Sequence, residues 1–240
     1  MRILITGGSS GIGEAITRTL AVASADNNIM ITYNRSAQNA DLLTKEFPNI
    51  SCTQTDFTNE QSVASLCTLM AQDPFDVLIN NAITGISKNY FHKIDAAEFI
   101  SGFLNNLIPT VRITQAFITS ARKRKSGRII TVLSSYIHGA PPSGLSGYVA
   151  EKNYLKSLTK SWAIENAPFN IVSNSISPGY ISTNLNSDTD ERVVEEMTAR
   201  HPLKKLLTGK EVAETVKFLV YTTAQLNGQD IIINSSQTIG

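Results

Sequence analysis

Short apolar, β-branched runs alternate with longer windows of helical spacing along the whole chain, and this alternation limits the possible folds most strongly. Several of the runs are apolar on consecutive residues, which is typical of parallel strands covered on both faces. Between them, apolar residues recur every three or four positions, as at Ile12, Ile16 and Leu20. The predicted strands are Arg2–Thr6, Ile29–Tyr33, Ile50–Gln54, Val77–Asn80, Arg128–Leu133, Asn170–Ile176 and Asp230–Asn234. Right-handed crossovers then predict an α/β fold: a doubly wound, Rossmann-type sheet of about seven mostly or fully parallel strands, with helices on both faces.

Length and composition limit the class of protein. A chain of 240 residues fits one domain, and we expect that domain to span residues 1–240 because no repeat or low-complexity linker interrupts it. The net charge of +1 gives no reason to expect nucleic acid as a partner. No apolar run approaches the ~20 residues that span a bilayer, and no secretory segment is evident, so we expect a cytoplasmic protein without a membrane partner. Cys52 and Cys67 lack metal-binding spacing, so no metal is expected and buried thiols are the default interpretation.

A glycine-rich turn, Thr6 to Gly13, directly follows the first predicted strand and precedes a predicted helix. Glycine lets the backbone adopt positive φ and approach a ligand without a Cβ in the way. The free N–H groups and positive dipole end of the following helix favour a bound pyrophosphate. The spacing differs from that of a P-loop, which ends in Gly-Lys-Ser/Thr. The turn therefore predicts a dinucleotide site.

A tyrosine and a lysine lie one helical turn apart, at Tyr148 and Lys152, so both side chains share a helix face. Together with the glycine turn and Asn80-Asn81-Ala82, this pair resembles the motif set of the short-chain dehydrogenase/reductase family. The resemblance covers nearly the whole chain, and it is greatest to the β-ketoacyl carrier-protein reductases of the compact branch. It implies an oxidoreductase that transfers hydride between a nicotinamide cofactor and a carbonyl or secondary alcohol. It also implies a small-molecule or carrier-bound carbonyl substrate and a homo-oligomer, either a dimer or a tetramer.

The end of the second strand bears on which dinucleotide is bound. No carboxylate stands there to hold a ribose 2′-hydroxyl, whereas Arg35 could meet a 2′-phosphate with a charge-assisted fork. We therefore favour NADP(H), with NAD(H) still possible. The resemblance implies a set of cofactor-binding residues: Gly7, Ser9, Ser10, Gly11, Ile12, Gly13, Asn34, Arg35, Ser36, Asp56, Phe57, Asn80, Asn81, Ala82, Tyr148, Lys152, Pro178, Gly179, Ile181 and Thr183. Asp56 has an alternative interpretation as the N-cap of the helix that begins near Asn59.

The predicted catalytic residues are Asn106, Ser134, Tyr148 and Lys152. A free tyrosine has a pKa of ~10, and a neighbouring ammonium favours the phenolate, so Lys152 is expected to make Tyr148 a better acid. A serine hydroxyl is expected to stabilise the developing alkoxide. Counting residues along the fifth predicted strand places Ser134 at the family position, whereas counting back from Tyr148 gives Ser135 the family's usual spacing. We prefer Ser134. For Asn106, it is the resemblance to the family that implies a catalytic role. Pro109 predicts a local helix distortion close to this residue.

Two departures and two rival functions complete the analysis. Ile83 stands where the family usually has glycine, and the polar segment 182–202 corresponds to the family's substrate lid. One rival is a cofactor-binding sensor or scaffold without turnover. The other is an epimerase or dehydratase of the extended branch, which usually has a larger C-terminal region. Nothing in the sequence names the carbonyl compound.

Overall fold

The computed structural model describes residues 1–181 and 190–237. Its strands are β1 (Arg2–Ile5), β2 (Asn28–Tyr33), β3 (Ile50–Gln54), β4 (Val77–Asn80), β5 (Gly127–Val132), β6 (Ile171–Pro178) and β7 (Asp230–Ile233). Its α-helices are α1 (Gly11–Ala23), α2 (Ala37–Glu46), α3 (Glu60–Gln72), α4 (Ala96–Gly102), α5 (Ile108–Arg124), α6 (Ser146–Asn166), α7 (Glu191–Arg200) and α8 (Gly209–Tyr221). Strands and helices thus alternate as the sequence pattern predicts.

The strands form one parallel sheet in the order β3-β2-β1-β4-β5-β6-β7. Within it, Ile5 of β1 pairs with Ile31 of β2 on one side and with Ile79 of β4 on the other. The prediction of a doubly wound, Rossmann-type sheet is confirmed. The strand order reverses between β1 and β4, and in such sheets ligands bind at the carboxyl ends of the strands beside this point.

Two apolar layers cover the sheet, one on each face. Ile3 and Ile5 of β1 belong to the layer that includes Ile16 of α1 and Val216 of α8, whereas Leu4 between them belongs to the opposite layer. That second layer is supplied by α3, α5 and α6. All three β1 side chains are 0 % exposed, so consecutive residues are buried on both faces, which explains the unbroken apolar run in the sequence.

Strand ends differ from the predicted ends by two residues at most. Asn170 falls outside β6 because its φ of +55° is left-handed and closes a short 3₁₀ turn before the strand. Pro178 extends the same strand beyond Ile176. The burial of the cysteines also differs from the prediction. Cys52 and Cys67 were expected to be buried, but both residues are half-buried.

The helix distortion predicted near Pro109 is present. Residues Phe103–Leu107, between α4 and α5, form a π-helical turn, and Pro109 is the second residue of α5. Proline cannot donate an N–H to the preceding turn and its ring crowds the carbonyl four residues back, so a wider turn relieves the conflict. This turn carries Asn106 to the edge of the candidate site.

Candidate active site

A cleft with a volume of about 570 Å³ lies at the carboxyl ends of β1 to β5. Its walls are the glycine turn, the segments after β2, β3 and β4, the end of β5 and the first turns of α6. Most residues predicted to bind the cofactor line it: Gly7, Ser9, Ser10, Gly11, Ile12, Gly13, Asn34, Arg35, Ser36, Asp56, Phe57, Asn81, Ala82, Tyr148 and Lys152. The strand-order reversal thus coincides with the predicted dinucleotide site.

The glycine turn is held in one shape by its neighbours. Gly7 has a φ of +65°, and its N–H donates to Thr32 Oγ1 at 2.9 Å. Asn81 Nδ2 donates to the carbonyl oxygens of Thr6 (3.0 Å) and Gly7 (3.1 Å). A Cβ on Gly13 would overlap the carbonyl oxygen of Gly7, so only glycine fits at residue 13. The turn is therefore closely packed against the start of α1.

The start of α1 has donors to spare. Its N-cap residue, Ser10, makes no side-chain capping bond within the described chain. The first N–H groups of a helix have no partner inside the helix, and here they begin at the glycine turn, on the wall of the cleft. A diphosphate fits this arrangement, because it offers negative charge and acceptor oxygens to donors that have no other partner.

A cation and a hydroxyl follow β2, next to a second hydroxyl in the glycine turn. Arg35 is exposed and lines the cleft, and Ser36 Oγ lies 2.5 Å from Ser9 Oγ in the glycine turn. A guanidinium beside paired hydroxyls could hold a phosphate monoester.

Asp56 does not cap a helix. The N-cap of α3 is Asn59, whose side chain accepts from the N–H of Ser62, so the alternative interpretation of Asp56 is wrong. Asp56 Oδ1 instead accepts from the N–H (2.9 Å) and the hydroxyl (2.8 Å) of Thr58, and these bonds lower the pKa of the carboxyl. An ionised acceptor thus stands on the cleft wall.

Tyr148 and Lys152 lie together on one face of α6, as their spacing predicts. Lys152 Nζ lies 5.7 Å from the centre of the Tyr148 ring and donates to the carbonyl oxygen of Val132 at 2.8 Å. The Ser134 side chain acts to lower the pKa of the Tyr148 phenol. Ser134 and Ser135 are both buried, but Ser134 is the serine that influences the phenol. This influence favours Ser134.

Burial governs the acidity of this pair. It raises the pKa of Tyr148 above its usual value, the Ser134 side chain acts in the opposite direction, and the charge of Glu151 raises the pKa further. Burial also lowers the pKa of Lys152 to about 8, against the influence of Glu151. The predicted acidification of Tyr148 is thus not realised in the protein alone, because desolvation is the largest influence on the phenol. The phenol is protonated at neutral pH.

Asn106 connects α5 to the loop after β4. Its Oδ1 accepts from the N–H (2.9 Å) and the hydroxyl (2.8 Å) of Thr84, and its Nδ2 donates to Glu151 Oε2 at 2.9 Å. Its carbonyl oxygen accepts from the Thr110 hydroxyl at 2.8 Å, so this backbone group has a protein partner next to the distortion. Asn106 lines a second cavity of about 330 Å³, which shares Thr84 and Tyr148 with the cofactor cleft.

Several predicted cofactor residues lie off the cleft wall. Asn80 is buried and donates through Nδ2 to Thr114 Oγ1 at 3.0 Å, away from the cleft. Pro178 ends β6, the N–H of Gly179 donates to a β7 carbonyl at 2.8 Å, and Ile181 is buried in the core. Thr183 and the first part of the predicted lid lie outside the described residues.

The sequence motifs did not identify two residues of the site. Thr84 lines the cleft two residues after the Asn-Asn-Ala motif, next to Ile83, which stands where the family usually has glycine. Glu151, immediately before Lys152, contacts Asn106. Its position inside the Tyr-x-x-x-Lys motif was the available signal. His138, by contrast, is a structural residue. Its side chain is buried, and its Nε2 lies 2.7 Å from Asp230 Oδ2.

Within residues 1–181 and 190–237, no helix is both long enough and apolar enough to cross a membrane.

Comparison with known proteins agrees with this geometry. A family model described as short chain dehydrogenase matches residues 1–193. The chain is 31 % identical to the 3-oxoacyl-(acyl-carrier-protein) reductase of Thermotoga maritima, over 95 % of each chain. It is 28 % identical to an acetoacetyl-CoA reductase of an Acinetobacter strain, over 96 % of this chain and 95 % of the relative. Among solved structures, a variant of ElxO with NADPH bound has a TM-score of 0.86 at 26 % identity, covering 98 % of this chain and 97 % of that one.

Proposed function

Because this chain belongs to the short-chain dehydrogenase/reductase family and is an oxidoreductase, we propose that it transfers hydride between NADP(H) and a carbonyl or secondary alcohol, with Tyr148 as general acid and base. One observation carries the proposal. The Tyr148 ring lies 5.7 Å from the Lys152 ammonium, at the end of a cleft that begins at the glycine turn, and the Ser134 side chain acts to lower the pKa of the phenol. Reductase names among the relatives support the same reaction class.

The cleft residues divide into those that bind and those that react. The glycine turn and the first N–H groups of α1 would hold the diphosphate of the cofactor, and Arg35 with Ser36 would hold a 2′-phosphate. A bound nicotinamide supplies or accepts the hydride. The Lys152 ammonium would bind the adjoining ribose hydroxyls. The remaining steps belong to the protein's own hydroxyl groups.

Proton transfer is assigned to Tyr148. As the substrate oxygen gains negative charge, the phenol donates its proton to that oxygen, and the Ser134 hydroxyl donates a hydrogen bond to the same oxygen. The raised pKa of Tyr148 keeps the phenol in the protonated form that reduction consumes. The phenolate that remains is stabilised by the cationic form of Lys152. Because the pKa of Lys152 is about 8, this cation is lost above that pH. Reduction should therefore decline as the pH rises past about 8.

A Tyr148→Phe substitution tests the assignment. We expect NADPH to bind as in the wild type, while turnover falls by about 10² to 10⁴-fold, the usual contribution of a general acid. Acetoacetyl-CoA is the first carbonyl to assay, within a panel of ketones, because a relative is named for its reduction. Substantial turnover by Tyr148→Phe would refute the role. In the same assay, Ser134→Ala should lower kcat much more than Ser135→Ala.

The main alternative is a cofactor-binding sensor or scaffold without turnover. NADPH binding by the wild type, with no oxidation across the whole panel, would favour it over the reductase.

The preference for NADP(H) rests on Arg35 and on the absence of a carboxylate at the end of β2. We expect Arg35→Ala to weaken NADPH binding by about tenfold or more, since a charge-assisted bond contributes roughly 1.5–3 kcal/mol, and to leave NADH binding nearly unchanged. Fluorescence titration of both cofactors measures this. NADH binding tighter than NADPH in the wild type and in Arg35→Ala alike would refute the preference.

A homo-oligomer is also proposed. The apolar side chains of Ile100, Phe103 and Leu104, on and beside α4, are exposed, and so is Tyr154 on α6, whose ring meets that of Phe103 edge-on at 5.5 Å. Apolar groups exposed together often mark an interface between subunits. Light scattering on the purified protein measures the oligomeric state, and a monomer at micromolar concentration would refute it.

A further inference from the structure

Glu151 lies between the two residues of the proposed catalytic pair in sequence, but its side chain reaches a different partner. Glu151 Oε2 accepts from Asn106 Nδ2 at 2.9 Å. The other end of that amide, Asn106 Oδ1, accepts from the Thr84 N–H at 2.9 Å and the Thr84 hydroxyl at 2.8 Å. A backbone N–H can only donate, so the amide oxygen must face Thr84 and the amide nitrogen must face an acceptor. Glu151 is that acceptor.

The neighbouring helix leaves room for this carboxylate. A Cβ on Gly102, the last residue of α4, would overlap Glu151 Oε1. A side chain at residue 102 would require the Glu151 carboxylate to shift. Glycine at the end of α4 thus leaves the space that the carboxylate from α6 occupies beside the π-helical turn.

The chain of contacts joins the two cavities. Glu151 lines the second cavity, Thr84 and Tyr148 line both cavities, and Asn106 connects Glu151 to Thr84. The acidic side chain of Glu98 lines the second cavity too, but it accepts from the Ser87 hydroxyl at 2.6 Å instead. Only one of the two described carboxylates in this cavity therefore contacts the amide.

We propose that Glu151 is a positioning residue: its carboxylate fixes the Asn106 amide, and through it Thr84, at the boundary between the cofactor cleft and the second cavity. The inference rests on the proposed function for its effect on turnover. The anchoring of Thr84 can be measured without a substrate. Because Asn106 Oδ1 is the acceptor of the Thr84 N–H, loosening the amide should expose that N–H to solvent exchange.

The experiment compares three variants of the full chain. Glu151→Ala removes both charge and acceptor, Glu151→Gln keeps an acceptor oxygen at the same length, and Glu98→Gln is the matched control in the same cavity. Hydrogen exchange of a peptide that covers residues 82–87, with the melting temperature as a check on folding, gives the substrate-free measurement. Where the wild type reduces acetoacetyl-CoA, kcat and the KM for NADPH are measured as well.

We expect exchange at Thr84 to accelerate about tenfold or more in Glu151→Ala, and to remain near the wild-type rate in Glu151→Gln and Glu98→Gln. In turnover, Glu151→Ala should lower kcat on the order of tenfold, since misplacement of groups near the reacting atoms is costly, and leave KM for NADPH within about threefold. Glu151→Gln should restore most of the loss.

Wild-type exchange at Thr84 in Glu151→Ala would overturn the inference, and so would a Glu151→Gln variant as impaired as Glu151→Ala. If Glu151→Ala does not fold, a comparison of Glu151→Gln with Glu151→Leu, which keeps the bulk and removes the acceptor, decides the question by the same measurements. A wild type that turns over no carbonyl would refute the proposed function alone, and the exchange data would still decide the role of Glu151.

Discussion

Replacement of Lys152 by methionine should change how the stability of the protein depends on pH. Lys152 is 7 % exposed, and its ammonium donates a hydrogen bond to the carbonyl oxygen of Val132. Burial lowers its pKa from 10.5 to about 8, so the folded protein releases this proton at lower pH than the unfolded chain does. Methionine keeps much of the length of the side chain and does not titrate.

The sign and size of the effect follow from this difference. Below about pH 8 the lysine is charged in both states and the folded protein bears the cost of a buried cation. Between about pH 8 and 10.5 the unfolded chain binds more protons, so the free energy of unfolding rises with pH. One pKa unit corresponds to about 1.4 kcal/mol, and the part of the shift titrated between pH 7 and pH 10 gives about 2–3 kcal/mol. Lys152→Met should lack this gain.

Urea unfolding of the wild type and Lys152→Met at pH 7, 8, 9 and 10 measures the difference. The exposed lysine on the same helix, Lys160, supplies the control Lys160→Met, which should follow the wild type throughout. Loss of the bond to Val132 shifts the Lys152→Met curve by a constant amount and does not alter its slope against pH. Equal pH dependence in wild type and Lys152→Met, within about 0.5 kcal/mol, would refute the account of Lys152 as a strongly desolvated cation.

Two further predictions concern the glycine turn and the base of the sheet. Gly13→Ala should abolish NADPH binding in a fluorescence titration and lower the melting temperature, because its Cβ would overlap the carbonyl oxygen of Gly7. The control Gly85→Ala, whose Cβ meets nothing within 4 Å, should change neither the binding nor the melting temperature. Normal NADPH affinity in Gly13→Ala would contradict the packing described for the turn. Asp230→Ala should lower the free energy of unfolding by about 3 kcal/mol in urea, because it leaves buried His138 and two serine hydroxyls without their acceptor. A loss below about 0.5 kcal/mol would show that these groups find other partners.

The sequence predicted the sheet well because its signals are local. Consecutive apolar residues such as Ile3 to Ile5 indicate a strand covered on both faces, and a glycine turn after the first strand indicates where the cleft begins. The spacing of Tyr148 and Lys152 predicted a shared helix face. Pro109 indicated a distorted helix, since its ring excludes regular geometry whatever the tertiary contacts are.

Properties that depend on tertiary contacts were not predicted. The acidity of Tyr148 depends on how strongly burial raises the pKa of the phenol, and a pattern of residue types does not contain the extent of burial. Asn80 follows its strand as the motif requires, but it turns into the protein to reach Thr114. The link from Glu151 to Asn106 joins residues 45 positions apart, so only the fold reveals it.

The π-helical turn at Phe103–Leu107 affects the number of residues between α4 and α5 as well as the direction of the helix. Such a turn contains one residue more than a regular helix needs, and each residue rotates a helix by about 100°. Deletion of Asn105 would therefore allow α4 and α5 to join as one rod, with its hydrogen-bond ladder broken at Pro109, which has no N–H to donate. The shortened rod would carry α4 round its own axis and take Gly102 away from Glu151. A helix more regular than the native one would thus lose the alignment that places Gly102 beside the Glu151 carboxylate.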